Sequence, residues 1–233
     1  MVDNKKKFFL IIRPNHLVLQ GIDKNYQTFF KEEFFNDKIL DNNFNILKIF
    51  LDKNIFKLEK KYNLYVEEIN LIIEHENFIT IDLSLIKNFE NLFIQKDILK
   101  NDLSNIKYSV LKSNSEYQLT HMVINRYIVD GHEFFILPKQ SNQKNIFIEI
   151  KFICLEKNII NNFRTILSKY QISVQNISSY EYVKSFETDP DKKDCISVSA
   201  DKLIQGYNSN EINFIKKNPR NSGLFEKFFK IFS

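Results

Sequence analysis

From Lys7 the chain reads as an apolar run, FFLII, a polar break at Arg13-Pro14-Asn15 and a second run, HLVLQGI. Two short strands around a turn account for this, and FKEEFF at 30–35 supplies a third strand of the same meander. Between Asn43 and Tyr62 the residues Phe44, Ile46, Leu47, Phe50, Leu51, Ile55 and Leu58 recur at spacings of three and four. That period predicts an amphipathic helix, with Asp52, Lys57, Lys60 and Lys61 largely off its apolar face and its end near Asn63. The unbroken run Ile69–Ile73 reads as a buried strand, and Phe78–Leu85 alternates as a half-buried one. A helix is predicted from about Leu92 to Leu111. Tyr117–Gly131 then alternates as a long strand that ends at an Asp130-Gly131 turn, with HEFFIL returning beyond it. Asn145–Leu155 is a β-branched and aromatic strand, Ile159–Tyr170 a helix, and ISVQNI at 172–177 a short strand. Past Phe186 the pattern breaks into ETDPDKKD and fragments such as CISV, which predicts a flexible linker over 187–220.

This order of elements predicts an α/β (α+β) fold in which a first-lobe domain, 1–73 and 157–186, is interrupted by an inserted strand-helix-strand subdomain, 74–156. No internal repeat or low-complexity block changes that division.

Composition adds three constraints. The chain has 233 residues, 43% of them hydrophobic, with 23 Phe and 10 Tyr, which is enough apolar side chain for a core and excludes a wholly disordered chain. It has four Gly, so glycine-rich loops that cradle phosphate are poorly supplied. Its two cysteines, Cys154 and Cys195, lack metal or redox spacing, which fits a reducing cytoplasm. Within 212–233, Lys216, Lys217, Arg220, Lys227 and Lys230 stand against Glu226 alone, so this stretch carries the whole net charge of +4. A neutral body with a basic tail argues against a nucleic-acid face and for a tail directed at an anionic surface.

Candidate catalytic chemistry is sparse. The four histidines, His16, His75, His121 and His132, show no metal-ligand spacing, and no metal site is expected. His121, Asp130 and His132 could meet across a hairpin as an acid/base set for a small hydrolase, but no nucleophile motif accompanies them. Asp23, Glu59 and Asp82 would suit a metal-dependent nuclease, yet ordinary surface carboxylates explain them without further help. No glycine-rich nucleotide fingerprint occurs.

The last thirteen residues, NSGLFEKFFKIFS, carry a clearer signal. On a helical wheel Leu224, Phe225, Phe228, Phe229, Ile231 and Phe232 fall within an arc of about 160°, and Glu226, Lys227, Lys230 and Ser233 fill the rest. Asn221 or Ser222 can cap such a helix. Four phenylalanines beside Lys227 and Lys230, behind Lys216, Lys217 and Arg220, match a helix lying in a membrane interface, where each basic residue contributes about 1 kcal/mol on an anionic surface. A terminal helix docked on protein has the same pattern.

The stretch LTHMVINRYIVDG resembles a strand of FtsA, the actin-like bacterial cell-division family, of the form L-H-V-I-P-x-x-Y-x-I-D. His121, Tyr127 and Asp130 hold matching places, and Asn125 stands where proline is usual. The segment ILDNNFNILKIFLDKNIFKLEKKYNLYVEEINLII is similar to the helix and strand that follow the family's first hairpins, with Glu59 in the place of a helix Glu. NIFIEIKFICLEKNIINNFRTILSKYQISVQNI is similar to its strand, helix and strand, and GLFEKFFKIFS resembles its membrane-targeting helix.

The resemblance implies the first lobe of an actin-like, ribonuclease-H-like fold. It also implies a non-enzymatic adaptor held on the cytoplasmic face of the membrane through Leu224, Phe225, Lys227, Phe228, Phe229, Lys230, Ile231 and Phe232. Its partners would be anionic lipid, division proteins and further copies met through the inserted subdomain. Where the family binds ATP, this chain reads IIRPNHLVL and KDCISVSAD, both without glycine. No ATP site or other cofactor is therefore expected, nor the second lobe that receives the FtsZ tail, and contact with FtsZ cannot be carried over. A pilus-assembly adaptor of the same fold is the alternative.

Overall fold

A computed structural model describes residues 6–37, 39–40, 44–88, 96–138, 145–186 and 196–213. In chain order the elements are β1 (Lys7–Arg13), β2 (His16–Ile22), β3 (Thr28–Phe35), α1 (Asn45–Tyr62), β4 (Glu68–Ile73), β5 (Phe78–Asn88), α2 (Lys96–Ser113), β6 (Tyr117–Val129), β7 (His132–Phe134), β8 (Asn145–Glu156), α3 (Lys157–Ser168), β9 (Ser173–Ser179), α4 (Tyr180–Ser185) and α5 (Ile196–Ile204). They form two compact units, one from the described residues of Met1–Asn77 and Asn158–Lys202, the other from those of Phe78–Lys157 and Leu203–Ser233.

The first unit holds a five-stranded sheet in the order β3-β2-β1-β4-β9. β1 and β2 pair antiparallel from Lys7↔Ile22 to Arg13↔His16 around Pro14-Asn15, and β3 continues the meander. β4 then lies parallel to β1, and β9 parallel to β4. An antiparallel meander extended by parallel strands on its first member is the ribonuclease-H-like arrangement, and the fold class is the expected mixed α/β. The central strands are buried nearly end to end, which is why they read as unbroken apolar runs. α1 turns Leu47, Phe50, Leu51, Ile55 and Leu58 inward, and it ends where Asn63 enters the left-handed region and donates its N–H to the Glu59 carbonyl.

Gly21 marks a close approach in this sheet, since a Cβ there would lie 2.5 Å from the Phe29 ring. That ring also packs edge-on against Phe8 at 6.0 Å and Tyr62 at 5.1 Å. Gly21→Ala is expected to push Phe29 off these partners and lower urea stability by about 1–3 kcal/mol. Combining it with Phe29→Leu should recover part of the loss in the same titration.

The second unit holds an antiparallel sheet in the order β5-β8-β6-β7. Leu99, Leu103 and Val110 of α2 share a core with Leu119, Met122, Ile124, Tyr127 and Val129 of β6. Strict alternation could not put all five of these β6 residues on one face. Two bulges, between Leu119 and His121 and between Ile124 and Arg126, each shift the parity by one and keep the face apolar.

The linker expected over 187–220 is corrected in its middle. Residues 196–204 are helix α5, with Val198, Ala200, Leu203 and Ile204 buried. The helix is polar even where it is buried: the Ser197 hydroxyl donates to Gln20 Oε1 at 2.9 Å, and Asp201 takes an ion pair from Lys7 at 2.6 Å. Those Ser and Asp positions broke the apolar period on which the linker reading rested. Residues 210–212 are also ordered against β6, with Ile124 N–H donating to the Asn210 carbonyl at 2.9 Å and Ile212 N–H to the Met122 carbonyl at 2.8 Å. The rest of that stretch, 187–195 and 214–220, and the whole segment 221–233 lie outside the described residues.

Candidate functional site

The four residues that match the FtsA pattern are each held in a supporting role. Glu59 Oε1 accepts the Val66 N–H at 3.0 Å and so fixes the connection from α1 to β4. Tyr127 is fully buried in the core under α2, and burial pushes its phenol far above the ordinary value. Asp130, with φ of 47°, and Gly131, with φ of 85°, make the left-handed pair of a tight hairpin, and Asp130 Oδ1 accepts the Asn145 N–H at 3.0 Å.

His121 is buried, with Nδ1 3.1 Å from Glu211 Oε2. Glu211 Oε1 also accepts the N–H groups of Met122 at 3.2 Å and Asn213 at 2.9 Å. Lys107 lies at the same cluster and donates to Asn213 Oδ1 at 3.4 Å. Burial drives its amine below the usual lysine value, and the charge of Glu211 partly offsets this.

The acid/base set of His121, Asp130 and His132 is not brought together. Asp130 and His132 lie at the exposed tip of the β6–β7 hairpin, while His121 faces Ile153 of β8 nine residues back along the strand. At roughly 3.3 Å per residue that separation is about 30 Å. The nuclease carboxylates also have local duties. Asp23 Oδ1 accepts from Asn25 N at 2.8 Å and Gln27 N at 2.9 Å to close the β2–β3 loop, and Asp82 sits opposite Lys151 on the sheet of the second unit. Among the described residues no three His, Cys, Asp or Glu side chains are grouped to hold a metal ion. No described helix is long and apolar enough to cross a membrane.

In α/β folds ligands gather beyond the carboxyl ends of the parallel strands. Here those ends carry Arg13 on β1, Glu74 after β4 and Tyr180 after β9, none of which sequence reasoning singled out. Arg13 Nε donates to Glu74 Oε2 at 2.6 Å, and its guanidinium stacks 4.4 Å from the Tyr180 ring centre. Burial opposes its charge, but the Glu74 hydrogen bond and the neighbouring Tyr180, Glu74 and Glu181 outweigh this and raise its pKa. The three residues neutralise and pack against one another at the place where the FtsA pattern has its first glycine turn. Arg13 interrupts an apolar run at a strand end, and that was the one sequence signal for the cluster.

A groove of about 220 Å³ opens between β3 and α1, floored by Phe34, Ile46, Ile49 and Phe50 and edged by Glu32, Glu33, Lys53 and Asn54. Phe34 is 42% exposed and Ile49 67%. The volume falls below the roughly 300–1,000 Å³ of small-molecule sites.

No protein-family model matches the chain, and no curated protein matches it. Similarities to solved structures include the following three. One is to a PilM-PilN type IV pilus biogenesis complex, at 8% identity and TM-score 0.45 over 76% of this chain and 48% of that one. Another is to the cytoplasmic domain of EpsL, an inner-membrane component of the type II secretion system of Vibrio cholerae, at 6% identity and TM-score 0.41 over 80% of this chain and 61% of that one. The third is to a Bacteroides thetaiotaomicron protein with an actin-like ATPase fold and unknown function, at 16% identity and TM-score 0.30 over 80% and 58%. The chain therefore spans between 48% and 61% of the length of these proteins.

Proposed function

We propose that this chain is a non-enzymatic adaptor of the FtsA type, held peripherally on the cytoplasmic face of the membrane by residues 221–233 and presenting its folded body to division proteins. The observation that carries the reading is the sorting of Leu224, Phe225, Phe228, Phe229, Ile231 and Phe232 to one side of a helical wheel, opposite Lys227 and Lys230. The dispersal of His121, Asp130 and His132 between a buried contact with Glu211 and an exposed hairpin tip supports an adaptor over a hydrolase. No nucleotide or nucleic acid enters the proposal. A pilus-assembly adaptor shares the fold, and the terminal pattern favours the division-type reading.

The test is co-flotation of the purified chain with liposomes containing anionic lipid. Phe228→Glu with Phe229→Glu is expected to lower the bound fraction more than ten-fold, and stopping the chain at Asn221 should do the same. Raising salt to 0.5 M should weaken binding by the parent, because the lysine contribution is screened while the rings are not. If the double variant floats as the parent does, the membrane reading fails.

A further inference from the structure

β5 is one of the two edge strands of its sheet, and it lacks the devices that usually protect an edge. It is eleven residues long, contains no proline and pairs with β8 in unbroken register from Phe78↔Leu155 to Asn88↔Asn145. Ile79, Ile81 and Leu85 pack partly buried against the core under α2, while none of its residues is fully buried and Leu83 and Ile86 remain exposed. Leu83 is 37% exposed and Ile86 58%. Among the described residues nothing pairs with its outer edge. Its only charges are Asp82 and Lys87, and Lys87 is held by Asp102 of α2 at 2.7 Å. β3, an edge strand of the other unit, differs in carrying Lys31, Glu32 and Glu33 in a row. A long, unbulged, apolar edge is a template for another strand.

We propose that the occupant is β5 of a second copy, paired antiparallel about a two-fold axis that passes through Leu83. The edge accepts a second copy of itself, and the register that pairs its full length sets no like charges opposite. A two-fold axis perpendicular to the sheet joins residues of the same face, so the two numbers in each pair must have an even sum. Pairing 78 with 88 and 83 with 83 uses all eleven residues. On the face covered by α2 it sets Leu83 against Leu83 and Ile81 against Leu85. On the other face it sets Asp82 against Ser84 and Thr80 against Ile86, so no charge meets its like. Moving the axis one residue to Asp82 would put two aspartates directly opposite, which is destabilising. The product is a continuous eight-stranded sheet with both copies of α2 on one side. The inference stands on this edge alone and does not depend on membrane binding.

Sedimentation velocity of the full chain over a range of concentrations tests it, and a dimer is expected. Leu83→Lys places two like charges opposite each other on the axis and should weaken dimerisation at least ten-fold, while Leu83→Ile should leave it unchanged. Circular dichroism and thermal unfolding establish that both variants fold. Register is read by cross-linking in a Cys195→Ser background. Leu83→Cys should oxidise to a covalent dimer, and Ser84→Cys, which faces Asp82 of the other copy, should not. A chain that stays monomeric overturns the proposal, including one whose edge takes a strand from a different protein. So does a dimer that Leu83→Lys leaves intact, since it would be formed through the terminal segment or another surface.

Discussion

Glu211→Ala is expected to lower the stability of the second unit by about 3–5 kcal/mol, because it strips the acceptor from three buried or half-buried groups at once. Glu211 is 2% exposed, and its two oxygens serve three groups: His121 Nδ1, Met122 N–H and Asn213 N–H. Alanine removes all three acceptor contacts at once. It also takes away the negative charge that offsets the desolvation of Lys107. Much of the loss is thus the cost of donors whose acceptor is gone, at about 1–3 kcal/mol each. Glu211→Gln keeps one acceptor oxygen for Met122 and should lose less. Urea unfolding followed by hydrogen exchange is the measurement, with the extra exchange expected along β6 and β8. An alanine variant within 1 kcal/mol of the parent would show that the cluster is not a structural tie.

Phe163→Ala is expected to cost the first unit a similar amount, about 3–5 kcal/mol, through the cavity it opens. Phe163 is fully buried on α3, beside Ile160, Ile166 and Leu167. Its ring meets Phe44 at 5.3 Å in an edge-on contact. Phe44 is the residue before α1, in the left-handed region with φ of 51° and without a side-chain cap. Packing against Phe163 therefore helps hold α1 at the end where capping does not. Phe163→Leu should recover about half of the loss in the same titration, because it refills part of the volume. Hydrogen exchange should place the damage in α1 and α3, separate from that of Glu211→Ala.

These two residues also show how far the sequence could be read. Phe163 belongs to a helix whose apolar period is local, so both the element and its buried face were legible. The same holds for α1, for the turn at Pro14-Asn15 and for the Asp130-Gly131 hairpin, where spacing or turn chemistry acts within a few residues. Glu211 was not legible. Its partner His121 lies 90 residues away, and an acidic residue in a polar stretch looks solvated until a strand packs over it. The same applies to Asp201, whose ion pair with Lys7 spans 194 residues, and to α5, whose buried serines hid its helical period. Of the candidate site, His121 was singled out for chemistry and proved to be part of a buried tie. Arg13, Glu74 and Tyr180 went unnoticed because they meet only once three parallel strands are aligned. The alternation of β5 was legible as a half-buried strand, and Ile79, Ile81 and Leu85 do pack partly buried against the second core, but the exposure of Leu83 and Ile86 was not.

The discontinuous division of the chain has a consequence for its synthesis. The first sheet cannot be completed until β9 is made, and α5 with its Asp201 follows later still. The second sheet is available from β8 onward, but its strand β6 is tied by Glu211, which emerges after both. Neither unit can therefore close on the ribosome ahead of the other in the usual amino-to-carboxyl sequence. Both wait for the same stretch of some fifteen residues near 200–213, and a chain interrupted just before it would hold all nine strands while lacking the Asp201 and Glu211 contacts that tie β1 and β6.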